Sequence, residues 1–119
     1  MIDNQQLIDN IIAAIREKKG KAITIVDLSP IGSSLCDYHL MCEGSNPTQI
    51  AAICDSVREY VRIHTGVKPF NVEGTENALW IILDYGDILV HVFEKNTRRF
   101  YDLEHLWSDA ALTELPDED

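Results

Sequence analysis

The sequence lacks the features that mark membrane and exported proteins. Its unbroken apolar runs are only a few residues long, far short of the roughly 20 residues that a membrane-spanning helix needs. The first residues enter a polar, amphipathic pattern without the apolar core of a signal peptide. The three cysteines form no CxxC pair, and their odd number cannot close a complete set of disulfides. We therefore expect a cytoplasmic protein with reduced, mostly buried cysteines.

Positive charge is scarce and unevenly placed in this 119-residue chain, whose length fits one domain. Ten Lys and Arg residues oppose twenty Asp and Glu, for a net charge of -10. Residues 1–71 carry a net charge of -1, and residues 72–119 carry -9. Such a field repels phosphate backbones, so direct nucleic-acid binding by the acidic half is not expected. It favours a basic protein partner instead.

The signatures of catalysis and metal binding are also missing. No HxH, HxxxH or CxxC spacing organises the histidines and cysteines, and no Walker-type loop or GxGxxG occurs. Ser33, Ser34 and Asp37 resemble a nucleotidyltransferase loop and strand, but His39 stands where a second Mg²⁺-binding carboxylate belongs. We therefore expect no catalytic residue, metal or cofactor. A degenerate nucleotide-handling enzyme remains the alternative from another functional class.

The hydrophobic periodicity predicts the order α-β-β-α-β-β-β-α. Asp3 or Asn4 can cap the first helix, while Asn46 and Pro47 begin a second helix that Gly66 ends. Apolar strands between helices predict an α/β domain over residues 1–109, with a mixed sheet of about five strands covered by helices. We expect a flexible acidic tail over residues 110–119. Predicted strands cover 22–28, 37–43, 69–74, 78–84 and 87–93, and short helical turns cover 96–107 with Asp102 as a cap.

The stretch "LDYGDILVHVF" (83–93) predicts a hairpin with two unlike faces. A two-residue turn at Tyr85-Gly86 would pair Asp84 with Asp87 and Trp80 with His91. Because side chains alternate along a strand, one face becomes wholly aliphatic and the other combines aromatic rings with carboxylates. Burying two unpaired aspartates would cost several kcal/mol, so the second face fits a protein-binding patch that the last helix covers in part. The aliphatic face collects Leu79, Ile81, Leu83, Ile88, Val90 and Val92, and the mixed face collects Trp80, Ile82, Asp84, Asp87, Leu89, His91 and Phe93.

The ordered motifs from Trp80 to Trp107 resemble the ribosomal silencing factor family, also called the Iojap family. The resemblance covers about residues 3–109, and the ordered series is more specific than any one of its motifs. The motifs are "CEGSN" (42–46), "EG" (73–74), Trp80, "DYGD" (84–87), "VHVF" (90–93) and "RRFYDLEHLW" (98–107).

This resemblance implies a small α/β protein with a nucleotidyltransferase-like topology and no transferase activity. Members of the family bind ribosomal protein number fourteen of the large subunit, at the face where the subunits meet. They thereby block joining of the small subunit and repress translation when nutrients are scarce. Organellar relatives serve in assembly of the large subunit, which is an alternative role for the same surface.

The resemblance also implies a partner-binding surface with two apolar anchors, Trp80 and Tyr85, beside the acidic pair Asp84 and Asp87. For Trp107, simple packing of the last helix onto the sheet is an equal alternative to partner contact. An exposed aromatic patch could also pair with a second copy of the chain. The expected partner-binding residues are Trp80, Asp84, Tyr85, Asp87, His91, Arg99, Tyr101, Glu104 and Trp107.

Overall fold

A six-stranded mixed sheet forms the centre of the protein in a computed structural model, which describes residues 2–30, 36–107 and 110–118. The strand order is β3-β4-β5-β2-β1-β6, with β2 and β5 parallel and the other neighbours antiparallel. The predicted α/β class is confirmed, although the sheet has six strands instead of about five. The strands are β1 (Lys21–Asp27), β2 (Tyr38–Gly44), β3 (Asn71–Glu73), β4 (Trp80–Asp84), β5 (Ile88–Glu94) and β6 (Ala111–Glu114).

Two helices cover one face of the sheet and form the main core with it. Helix α1 (Asn4–Glu17) begins at Asp3, whose side chain accepts from the backbone N–H of Gln6. Helix α2 (Pro47–Thr65) begins at Asn46 and ends at Gly66, which adopts the left-handed conformation with φ of 77° that glycine tolerates best. The buried side chains of both helices face this core, where buried aliphatic side chains each contribute roughly 1.5–3 kcal/mol.

The β4–β5 hairpin keeps the two predicted faces but not the predicted pairs. Trp80 lies opposite Phe93, and Asp84 lies opposite Leu89, so each pair is displaced by two residues along β5. Because side chains alternate with a period of two, this displacement leaves every residue within the strands on its predicted face. Leu79 is an exception, since it precedes β4 and is largely exposed instead of joining the core.

Two short helices cover part of the other face of the sheet. Helices α3 (Lys95–Tyr101) and α4 (Leu103–Leu106) follow β5 and meet at Asp102. Asp102 occupies the position before α4, but its side chain bonds to no helix N–H and instead contacts the ring of His105. Leu103 and Trp107 pack against a small second core. That second core consists of Val26, Leu28, Met41 and Phe93.

The segment predicted as a flexible tail adds the sixth strand. Residues 111–114 form β6 and pair with β1, and the following residues bond back to the start of that strand. Asp117 accepts from the backbone N–H of Ala22 at 2.8 Å, and Glu118 forms an ion pair with Arg16 at 3.1 Å. Hydrophobic periodicity did not predict this strand, because its side chains are exposed. The strand forms because its backbone pairs with the existing edge of the sheet.

Candidate protein-binding surface

Aromatic rings gather on the sheet face that α3 and α4 only partly cover. The indole of half-buried Trp80 lies 5.0 Å from the Phe93 ring and 4.8 Å from the Tyr101 ring, centroid to centroid. Its Nε1 donates to Nδ1 of His91 at 3.1 Å. Such contacts hold the rings in fixed positions, as a preformed docking surface requires. We call this set the aromatic cluster: His39, Trp80, His91, Phe93, Tyr101 and Trp107.

Two buried histidines form the base of the aromatic cluster. Because Nδ1 of His91 accepts from Trp80, the neutral His91 ring carries its proton on Nε2 and donates to Nδ1 of His39 at 3.0 Å. The Trp107 indole stacks on His39 with 4.0 Å between centroids. Burial lowers the pKa of His39 to about 4, and burial with the neighbouring His39 lowers the pKa of His91 to about 3. Both rings are therefore neutral at pH 7.

Exposed apolar side chains extend the surface outward from Trp80. The Tyr101 side chain is 50% exposed, and Phe100 beside it is 81% exposed with its ring edge-on to Tyr101. Leu106, on α4, is also largely exposed. A row of aromatic and aliphatic groups on a rigid support fits the centre of a protein interface.

Arg98 fixes α3 to the sheet through a buried set of polar contacts. Its guanidinium is 7% exposed and donates to the carbonyl of Ala22 at 2.8 Å and to Oγ1 of Thr24 at 3.0 Å. It also forms ion pairs with Glu104 at 3.0 Å and Glu43 at 3.3 Å. Glu104 is thus paired with Arg98 within the protein, whereas the sequence suggested that it contacts a partner.

Tyr85 does not lie on the expected surface. It is 6% exposed and belongs to the core between the sheet and α1 and α2, because it shares the side-chain direction of Ile81 and Leu83. Its hydroxyl has no hydrogen-bond partner among the described residues, and burial raises the pKa of the phenol to about 12. The expectation that Tyr85 anchors a partner on the same face as Trp80 is wrong for this fold.

The two aspartates of the hairpin have different surroundings. Asp84 is half-buried, and its side chain accepts from the backbone N–H of Gly86 at 2.8 Å, so it shapes the turn. Asp87 is exposed and leaves its carboxylate available to a cation. Asp84 shares its face with Trp80 but lies four residues further along β4, about 13 Å away at the usual rise per residue.

The structure therefore brings some of the expected residues together and separates others. Trp80, His91, Tyr101 and Trp107 meet in the aromatic cluster, although His91 is buried and can only support a contact. Arg99 is exposed on α3, and Asp87 lies at the hairpin tip. Sequence reasoning assigned no role to Phe100 or Arg98. It could have placed one in solvent and the other against the sheet, because residues two apart in a helix point in nearly opposite directions.

The described residues contain no group of three or more His, Cys, Asp and Glu placed to hold a metal ion. Asp37 is half-buried at the start of β2, and its backbone N–H donates to the carbonyl of Asp87. Ser33 and Ser34, the other residues of the alternative nucleotide site, lie outside the described residues. Among the described helices, none is long and apolar enough to cross a membrane.

Comparison with known sequences gives a consistent result over nearly the whole chain. Residues 2–119 match a family model described as "Ribosomal silencing factor during starvation". The ribosomal silencing factor RsfS of Halalkalibacterium halodurans is 34% identical over 96% of this chain and 96% of its own length. That of Bacillus subtilis is 37% identical over 87% of this chain and 86% of its own length. A mouse protein named for mitochondrial assembly of the ribosomal large subunit is 24% identical over 85% of this chain and 45% of its own length.

Solved structures share the fold as well. A crystal structure of a Chromobacterium violaceum protein superposes with a TM-score of 0.84 at 32% identity, covering 90% of this chain and 88% of the other. A crystal structure from Bacillus halodurans gives a TM-score of 0.80 at 34% identity, covering 94% of this chain and all of the other. The similarity between this chain and these two proteins therefore extends from the sequence to the fold.

Proposed function

This chain belongs to the ribosomal silencing factor family, and on that premise we propose that it represses translation by occupying the large ribosomal subunit. The proposed contact is ribosomal protein number fourteen, on the face that meets the small subunit. Bound there, a domain of this size leaves no room for the small subunit to join. The repression is steric and needs no catalytic residue or cofactor, and it takes place in the cytoplasm with the ribosomes.

The observation that carries this proposal is the exposed apolar row around a rigid aromatic cluster. Tyr101 and Phe100 present aromatic area to solvent, and Trp80 lies beneath Tyr101. Aromatic side chains in such positions supply most of the affinity in many interfaces, while the surrounding polar groups exclude water. Trp107 contributes through its stacking on His39, which makes it a support for the surface.

Charge supports the choice of a basic protein as the partner. The exposed carboxylate of Asp87 and the surplus of negative charge in residues 72–119 attract a cationic surface. They also repel bare rRNA from the acidic half of the chain. Electrostatics then sets the association rate and selectivity, and burial of the aromatic row sets the lifetime of the complex.

The proposal is tested by replacing exposed rings on the proposed surface and an exposed apolar side chain on the opposite face of the sheet. Ile63 on α2 is 60% exposed, so Ile63→Ala is the control for a Phe100→Ala/Tyr101→Ala variant. We expect the double variant to bind large subunits about 30-fold more weakly, on the order of 2 kcal/mol, with an unchanged melting temperature. The measurement is co-sedimentation with large subunits, followed by the yield of joined ribosomes when small subunits are added. Equal binding by the double variant and the control would refute the surface.

Assembly of the large subunit is the second candidate, favoured by the mitochondrial assembly protein among the relatives. It uses the same surface on an immature particle. The two functions separate when the protein is mixed with mature subunits and with precursor particles. Binding to mature subunits with loss of joined ribosomes supports repression, and binding to precursors alone supports assembly.

A further inference from the structure

Aspartates dominate one end of the sheet, and the other end carries charges of both signs. Asp27 is paired with Tyr38, and Asp37, Asp84 and Asp87 lie at the same end, around the start of β5. At the opposite end, Lys21 begins β1 and Lys95 follows β5. Lys18 and Lys19 lie between α1 and β1, beside Lys21. Most of the lysines of this acidic protein therefore lie together at one end of the sheet, beside Glu43 and Glu94.

The lysines of this end surround an open groove. Lys19, Lys21 and Lys95 line it together with Gly44 and Ser45 from the end of β2. We call this feature the lysine groove. Its remaining lining residues are Ala22, Glu43, Gln49 and Asp117.

Both carboxylates of the lysine groove are engaged in contacts within the protein, whereas two of its lysines face solvent. Glu43 forms an ion pair with Arg98 at 3.3 Å, and Asp117 accepts from the backbone N–H of Ala22. The ammonium groups of Lys19 and Lys95 are exposed, with no ion-pair partner among residues 2–30, 36–107 and 110–118. The groove therefore presents positive charge to solvent even though the chain carries a net charge of -10.

We propose that the lysine groove binds the phosphate backbone of ribosomal RNA on the same subunit to which the aromatic surface docks. The assignment of this RNA as ribosomal rests on the proposed function, because RNA lies beside the proteins of a large ribosomal subunit. Phosphate contacts need only positive charge and hydrogen-bond donors, and they position a protein without reading sequence. The lysine groove supplies both.

The composition of the lysine groove favours RNA over an acidic protein. Among the residues that the structure describes, its lining contains no aromatic side chain, and Ala22 is its single aliphatic one. Protein interfaces usually require a buried apolar anchor at their centre, which this groove does not offer. The groove lies at the same end of the sheet as Trp80 and α3, because Trp80 pairs with Phe93 and Lys95 begins α3. RNA bound in the groove therefore lies beside a protein docked on the aromatic surface.

The test compares two pairs of substitutions with the same change in net charge. Lys19→Gln/Lys95→Gln removes two cations of the lysine groove, and the control Arg58→Gln/Lys68→Gln removes two exposed cations near α2 and β3. Binding to large subunits is measured over a series of salt concentrations. For the lysine pair we expect about tenfold weaker binding at 0.1 M salt, and a slope of log K against log salt smaller by about 1.8. The control keeps the wild-type slope, and both variants bind isolated ribosomal protein number fourteen like the wild type.

The outcomes distinguish this inference from the proposed function. A lysine variant that matches the control on large subunits overturns the inference and leaves the aromatic docking surface intact. If the wild-type protein fails to bind subunits at all, the proposed function fails, and binding to protein-free large-subunit rRNA decides the inference separately. Salt-dependent binding of that rRNA, lost in the lysine variant, supports the groove. A changed slope on subunits without any binding of free rRNA identifies an acidic protein as the occupant and overturns the RNA assignment.

Discussion

At the scale of single residues, burial decides what a titratable side chain can do. His39 and His91 lie beneath Trp107 and Trp80, and each accepts a hydrogen bond at Nδ1, which it can do only while that nitrogen is unprotonated. Protonating His91 on Nδ1 would remove the acceptor of the Trp80 indole. The aromatic cluster is therefore built on two imidazoles that must stay uncharged.

The lowered pKa values predict that acid destabilises the protein. The unfolded chain binds protons at both histidines near pH 6.5, whereas the folded pKa values are about 4 for His39 and about 3 for His91. This contribution is complete above pH 6.5 and is lost as the pH falls toward 4 for His39 and toward 3 for His91. We expect the two rings to lower the free energy of unfolding by about 4 kcal/mol between pH 7 and pH 5. Urea unfolding at a series of pH values measures it.

Two variants separate the contribution of the buried histidines to the pH dependence of unfolding from the contributions of other titrating groups. His39→Phe removes one of the two buried rings that titrate, so the change between pH 7 and pH 5 should fall by about half. Met41→Leu changes a buried side chain of β2 that does not titrate and should leave the pH dependence unchanged. An unchanged pH dependence in His39→Phe would show that the buried pair is not the source.

At the scale of elements, one arginine joins the last helices to the sheet. Arg98 lies on α3 and contacts Ala22 and Thr24 of β1, Glu43 of β2, and Glu104 of α4. A helix of seven residues has little stability of its own. The position of Tyr101 and Phe100 therefore depends on this buried polar contact.

We predict that Arg98→Met lowers the free energy of unfolding by about 3–5 kcal/mol, because it leaves Glu43 and Glu104 half-buried without their cation. Arg99→Met, the neighbouring exposed position, should cost less than about 0.5 kcal/mol. Chemical denaturation of both variants measures the difference. A loss below about 1 kcal/mol in Arg98→Met would mean that α3 is held by its apolar contacts.

The elements were predictable where a local signal defines them. Apolar spacing and the caps at Asp3 and Asn46 located α1 and α2, and alternation assigned the faces of the hairpin strands within their observed bounds. Strand β6 was missed because its four side chains are exposed, and only the open edge of β1 makes it a strand. Tyr85 was assigned to the wrong surface because its family motif suggested a contact, whereas its strand direction leads into the core.

At the scale of the whole molecule, the net charge does not show where the charged residues lie on the sheet. Aspartates gather at the hairpin end of the sheet, whereas lysines and glutamates lie together at the other end, which also carries Trp80 and α3. This distribution depends on strand register, which brings residues from distant parts of the sequence to one end.

We predict that Asp87→Lys slows association with the basic partner protein about threefold or more at low salt and changes dissociation little, since an exposed charge acts mainly on encounter. Asp9→Lys makes the same change in net charge on α1, away from the proposed surface, and should slow association less. Stopped-flow or surface-based kinetics at 10 mM and 500 mM salt measures both. Equal effects of the two variants would show that only net charge matters.

The sequence by itself determined the family, the α/β class, the two long helices and the unlike faces of the hairpin, because caps, periodicity and ordered motifs are local signals. Tertiary structure alone decided which aromatic side chains reach solvent, which carboxylates are already paired, and where the lysines meet. Those properties depend on contacts between residues up to about a hundred positions apart, as the Arg16–Glu118 pair illustrates. Distances of that kind follow from sheet order and register, which no local pattern encodes.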